Sequence, residues 1–109
     1  MRNKANVTKA SDNIFSDLEV SDAEEALAKA EIASRICEII AERKLSQTRA
    51  AALLGVDQPK VSALMRGRLE GFSSDRLFRF LNALDRDVEI VIKPKQQESE
   101  HGHIRVVAA

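Results

Sequence analysis

The chain is poor in the residues on which several classes of protein depend. Its single cysteine, Cys37, excludes an intramolecular disulfide and fits a reducing compartment, where we expect a buried, inert thiol. Trp and Tyr are absent and there are only four Phe, so a core must come mainly from Leu, Ile, Val and Ala. No apolar run approaches the roughly 18 residues of a membrane span, and the N-terminus lacks the apolar core of a signal peptide. We therefore expect a cytoplasmic protein with no membrane partner.

The motifs of the common enzyme classes are also missing. The sequence has no Gly-rich phosphate loop, no GxSxG and no Cys–His pair in a suitable context. The two histidines, His101 and His103, flank Gly102 in a polar tail where no further metal ligands cluster. We expect solvated histidines, no metal, no cofactor and no catalysis.

Net charge is zero, but the charges are distributed unevenly along the chain. Residues 43–68 hold six basic residues and one acid, a net charge of +5, whereas residues 11–31 hold seven acids and one base, a net charge of −6. The field over a docking face, rather than the total, decides whether a protein attracts DNA. An acidic segment before a basic one suggests two partners of opposite sign.

The basic stretch, LSQTRAAALLGVDQPKVSALMRGR, predicts two short helices joined by a tight turn. Ser46 can cap the first helix, and Gly55 can end it in a left-handed conformation. Asp57 can cap the second helix, with Pro59 in its first turn, where the missing N–H costs nothing. The spacing buries one shared face, formed by Ala51, Leu54, Val56, Val61 and Leu64.

The opposite face of the second helix carries small, polar and basic residues: Gln58, Lys60, Ser62, Ala63 and Arg66. A short helix of this kind, braced across another, can enter the major groove of double-stranded DNA. Gln58 can make two hydrogen bonds to adenine, Lys60 can reach either a guanine or a phosphate, and Ala63 can touch a thymine methyl group. Four arginines are expected to bind phosphates or remain solvated: Arg43, Arg49, Arg66 and Arg68.

A family resemblance rests on the same residues. The order Gln47, Ala51, Gly55, Val56, Val61, Leu64, Gly67 resembles the helix-turn-helix of Cro/lambda-repressor-type (XRE) proteins. The resemblance implies that Gln47 anchors a phosphate and that Gln58, Lys60 and Ser62 read bases. Many XRE proteins have Glu near position 65, and we expect Met65 to change local packing rather than DNA binding.

The run GRLEGFSSDRLFRFLNALDRDVEIVIKP narrows the resemblance to HigA-like antitoxins of toxin–antitoxin pairs, over roughly residues 13–94. Such proteins repress their own operon and neutralise a small basic ribonuclease. Residues 1–20 then become a flexible acidic arm, whose candidate toxin-binding residues are Ile14, Phe15, Leu18 and Val20. Folding of these four apolar residues back onto the domain remains an open alternative.

Further helices are predicted on both sides of the helix pair. Ser21 to Glu24 has capping-box spacing and opens a helix to about Lys44, with a bend or break possible near Ala33. Its expected apolar face is Ala26, Ala30, Ala33, Ile36, Cys37 and Ile40. Phe72 should fill the core, and Ser73 or Ser74 should cap a helix over about residues 75–85 that buries Leu77, Phe80, Leu81 and Leu84.

Val88, Ile90 and Ile92 alternate with other residues at the period of a β-strand, which Pro94 ends. A lone strand needs a partner, either residues 104–107 or, as we prefer, the same strand of a second copy.

The sequence thus predicts a mainly α protein, a compact bundle of about five helices with a helix-turn-helix and a C-terminal β-strand that pairs across a homodimer. We divide it into residues 1–20 (acidic arm), 21–94 (DNA-binding domain with the dimerisation strand) and 95–109 (tail). The expected function is a repressor of its own operator that is also an antitoxin. The alternative is a stand-alone or phage-derived XRE-type regulator without a toxin.

Overall fold

The computed structural model describes residues 22–98 and 100–108, which contain four helices and no strand. The helices are α1 (Asp22–Glu42), α2 (Gln47–Leu54), α3 (Gln58–Met65) and α4 (Ser74–Ala83). Residues 29–91 form one compact unit, and the described residues among 22–28 and 92–108 belong to another. None of the described helices is long and apolar enough to span a membrane.

Helix α1 is continuous through Ala33, so the break that would have divided it into two helices does not occur. About five helices were predicted, and four are present in the described part of the chain. The buried face of α1 also differs from the prediction: Ala26 and Ala30 are exposed, whereas Ile32 and Ile39 are buried. Ala33, Ile36 and Ile40 are buried as predicted, so the prediction was right for the C-terminal half of the helix and wrong at its N-terminal end.

The core of the unit formed by residues 29–91 lies where all four helices contribute branched apolar side chains. Its largest fully buried members are Ile36, Ile39, Ile40, Val61, Leu64, Leu77 and Leu84. Phe72 is 3% exposed, as predicted, and its ring meets that of Phe80 edge to face with centroids 6.1 Å apart. Edge-to-face geometry suits the quadrupoles of the two rings. Leu81, in contrast, is only half-buried.

Polar contacts join the C-terminal ends of α1 and α4. Arg43 reaches the carbonyl oxygen of Leu84 and lies 4.0 Å from the Asp85 carboxylate, while Arg86 lies 3.9 Å from that of Glu42. These crossed charges stabilise the end of α4, from which residues 88–93 continue.

No β-strand forms over residues 88–93 within the described chain. Val88 is half-buried, but Ile90 and Ile92 are 70% and 92% exposed. The predicted strand is therefore not formed within a single copy, where these residues have no strand beside them.

Candidate nucleic-acid interface

The turn between α2 and α3 contains only Gly55, Val56 and Asp57. Gly55 has φ +75°, a left-handed conformation that favours glycine, and its N–H donates to the carbonyl oxygen of Ala51 at 2.9 Å. The N–H of Val56 donates to the same oxygen at 3.0 Å. These two hydrogen bonds satisfy a carbonyl group in the last turn of α2. The chain then reverses direction within the turn, and α3 begins.

Both helices begin at the caps that the sequence predicted. The Ser46 hydroxyl accepts the backbone N–H of Arg49 at 3.1 Å, and the Asp57 carboxylate accepts that of Lys60 at 3.0 Å. Pro59 lies in the first turn of α3. The buried side chains Ala51, Leu54, Val61 and Leu64 hold the two helices together, as expected, whereas Val56, predicted with them, is only half-buried.

The first residues of α2 and α3 are joined by their side chains. Gln58 Nε2 donates a hydrogen bond to Gln47 Oε1, and Gln47 Nε2 lies 3.7 Å from the Met65 sulfur. Gln58 is exposed and Gln47 half-exposed. Met65 is 40% exposed, so it borders this polar cluster and is not a packing residue of the core.

The remaining predicted readers lie further along α3. Lys60, Ser62 and Ala63 are each half-buried. The Ser62 hydroxyl accepts a 2.7 Å hydrogen bond from Arg66 Nη2, which holds this guanidinium along the helix.

Lys60 is engaged by an aromatic ring. Its Nζ lies 5.4 Å from the centroid of Phe72, and the Arg76 guanidinium lies 5.9 Å from the same ring. Both distances are within the range of cation–π attraction. The ring and Lys60 also line a cavity of about 310 Å³, together with Asp57, Pro59, Ala63 and Glu70. Sequence reasoning missed Arg76, although its position three residues after the Ser73 cap placed it near Phe72.

The basic residues divide into two groups. Arg49, Arg66 and Arg68 are exposed in the unit that contains α2 and α3. Arg43, predicted with them as a phosphate ligand or a solvated residue, instead binds the end of α4.

Cys37 is half-buried rather than fully buried. Its Sγ lies 3.9 Å from the Leu64 carbonyl oxygen, and burial raises the pKa of the thiol above its ordinary value. A raised pKa keeps the less reactive thiol form, which agrees with the predicted inert character.

The other predicted site residues lie elsewhere. Ile14, Phe15, Leu18 and Val20 fall outside the described residues. His103, expected to be solvated, lies 3.0 Å from the carboxylate of Glu24. The described residues contain no group of three or more side chains able to hold a metal ion.

Comparisons with known proteins agree with this geometry. Residues 14–93 match a protein family described as "Helix-turn-helix domain". A solved structure named "Putative XRE Family Transcriptional Regulator" is 52% identical with a TM-score of 0.77, over 81% of this chain and 99% of that one. No curated protein matches. The chain therefore belongs to the XRE family of helix-turn-helix transcriptional regulators.

Proposed function

We propose that this regulator is a sequence-specific repressor that inserts α3 into the major groove of its own operator. The observation that carries the proposal is the exposed hydrogen bond between Gln47 and Gln58, at the paired starts of α2 and α3. This hydrogen bond holds the side-chain amide of Gln58, which can read a base, beside that of Gln47, which can bind the DNA backbone.

The donor count of the Gln58 amide supports base reading. One N–H is given to Gln47, which leaves a second N–H and the oxygen Oε1. Adenine requires one donor for N7 and one acceptor for its N6 amine, so a bidentate contact remains possible. The contact with Gln47 lowers the entropy that Gln58 loses when it binds, because its side chain is already held.

Gln47 is well placed to anchor a phosphate. Its amide nitrogen has one N–H directed at the Met65 sulfur and a second available for an anionic oxygen. Gln47 is also the first residue of α2, where the positive end of the helix dipole favours a phosphate.

Contacts with the DNA are completed by Ser62 and Ala63, which approach base edges, and by Arg49, Arg66 and Arg68, which bind phosphates. Exposure of the three guanidinium groups and the net charge of +5 over residues 43–68 support this division. Lys60 is assigned a phosphate rather than a guanine, since its stacking on Phe72 restricts how far it reaches toward a base edge.

The operator is bound by a homodimer whose copies pair through Val88, Ile90 and Ile92. The exposure of Ile90 and Ile92, 70% and 92%, supports this assignment, because such apolar side chains gain most from being covered. A pair of reading helices also fits the two half-sites of a palindromic operator.

The second role is that of an antitoxin that neutralises a small basic ribonuclease. The resemblance to HigA-like proteins and the net charge of −6 over residues 11–31 support it. Ile14, Phe15, Leu18 and Val20 are the proposed toxin contacts. Deletion of residues 1–20 should abolish neutralisation but spare DNA binding. The absence of a neighbouring reading frame for a basic protein of about 100 residues would favour a stand-alone regulator instead.

Fluorescence anisotropy on DNA from just upstream of the gene tests the main proposal, with scrambled DNA as the control and two salt concentrations. We expect tight, salt-sensitive binding that prefers the upstream DNA. Equal and weak binding to both DNAs would contradict autoregulation by this protein alone.

A further inference from the structure

Glu24, in the first turn of α1, holds two groups of the C-terminal tail. Its Oε1 accepts the backbone N–H of Ile104 at 2.9 Å, and its Oε2 lies 3.0 Å from Nδ1 of His103. The ring of His101 lies 5.7 Å from that of His103. One carboxylate therefore contacts both a side chain and the backbone of a segment 80 positions away.

These contacts favour the ionised form of Glu24. The hydrogen bond from His103 and that from the Ile104 N–H lower the pKa of this carboxyl, and the charges of His103 and His101 act in the same direction against the effect of burial. These two histidines are the titratable groups through which the tail acts on Glu24. The carboxylate, not the carboxylic acid, is therefore the form that binds the tail.

We propose that residues 101–104 form a latch that docks the C-terminal tail on Glu24 and opens when this carboxylate is protonated. A lowered pKa in the docked state means that docking is favoured above the pKa of the undocked carboxyl and lost as pH falls through the lower value. A hydrogen bond to an ionised carboxylate is roughly twice as strong as one to a neutral group. The latch is thus closed where Glu24 is ionised and open where Glu24 is protonated.

The latch also limits the pairing of the tail with other segments. The Ile104 N–H that donates to Glu24 cannot at the same time donate to a neighbouring strand. Latched residues 104–107 are therefore held back from pairing at this position, even though Ile104 and Val107 are 47% and 81% exposed. This consequence rests on the proposed strand pairing, whereas the latch itself does not.

Amide NMR of the full chain tests the latch directly. In Glu24→Gln, the Ile104 amide proton should move upfield and exchange faster with solvent, because a neutral amide is a weaker acceptor than a carboxylate. In the unmodified protein, the same proton should follow pH with a midpoint below the ordinary Glu value of about 4.3. Glu25→Gln, at the exposed neighbouring position, is the matched control and should leave the Ile104 signal unchanged.

Trypsin gives an independent readout, since cleavage after Arg105 requires the tail to leave its docking site. We expect roughly threefold faster cleavage there in Glu24→Gln, the size of effect expected for one exposed ion pair. His103→Ala should act in the same direction, and cleavage after the exposed Lys95 serves as the internal reference.

Identical Ile104 signals and identical Arg105 cleavage in the unmodified protein and both variants would overturn the latch. Operator binding by the same proteins is expected to be unchanged. A failed latch and a failed DNA-binding proposal are thereby distinguished.

Discussion

Arg43 donates a hydrogen bond from Nη1 to the backbone carbonyl oxygen of Leu84 across 3.2 Å. The four C-terminal carbonyls of a helix have no partner within it, and Leu84 is the C-cap residue of α4. Arg43 thus stabilises the end of a helix, although its position in the basic stretch suggested DNA.

Arg43→Ala should lower the free energy of unfolding by about 1 kcal/mol, the usual value of one such hydrogen bond. The salt dependence of DNA binding should not change, because no phosphate contact is removed. Urea denaturation and anisotropy titrations measure the two effects. A flattened salt dependence with unaltered stability would return Arg43 to the DNA interface.

Gln58→Ala should weaken binding to the operator by about 1–3 kcal/mol, the value of one bidentate base contact. Binding to scrambled DNA should change little, since that binding depends on phosphates. Anisotropy on both DNAs measures the difference. Gln96→Ala, at an exposed position in the other unit, is the control, and equal losses on both DNAs would remove Gln58 from base reading.

Gln47→Ala should weaken binding to both DNAs and also reduce the effect of Gln58→Ala. The two amides share a hydrogen bond, and residues in one network have non-additive effects. A double-mutant cycle on operator affinity measures this coupling. Strict additivity would mean that the two side chains act independently.

Arg49→Ala should weaken binding to any DNA and reduce the slope of log K against log salt by about one unit. Arg49 is exposed, and its backbone N–H rather than its guanidinium holds the Ser46 cap, so stability should be preserved. Titrations at several salt concentrations provide the slope. The same slope in both proteins would place Arg49 away from phosphates.

Ile90→Lys should convert the proposed dimer to a monomer and reduce operator affinity. A charge at an exposed apolar position costs nothing in a single copy but is costly when a second copy covers it. Analytical ultracentrifugation measures the mass, with Ile90→Val as the conservative control. A dimer that survives the lysine would place the interface elsewhere.

The sequence predicted correctly those features that depend only on neighbouring residues in the chain. The caps at Ser46, Asp57 and Ser73 and the left-handed Gly55 arise from backbone requirements that only a few residue types meet. The sequence did not predict the contacts of long side chains with distant segments. These contacts are Arg43 with Leu84, Lys60 with Phe72 and His103 with Glu24.

The three residues of the turn also restrict how this protein can change its target. Gly55 and Val56 both donate to the Ala51 carbonyl, and Asp57 caps the next helix. Each of the three turn residues therefore makes a hydrogen bond that the turn needs. Each residue added within α3 rotates the later part of the helix by about 100°, and insertions would therefore carry the outer side chains away from the groove. In the proposed mode of DNA binding, new operators are accessible through substitutions on the outer face of α3, with the length of the turn held constant.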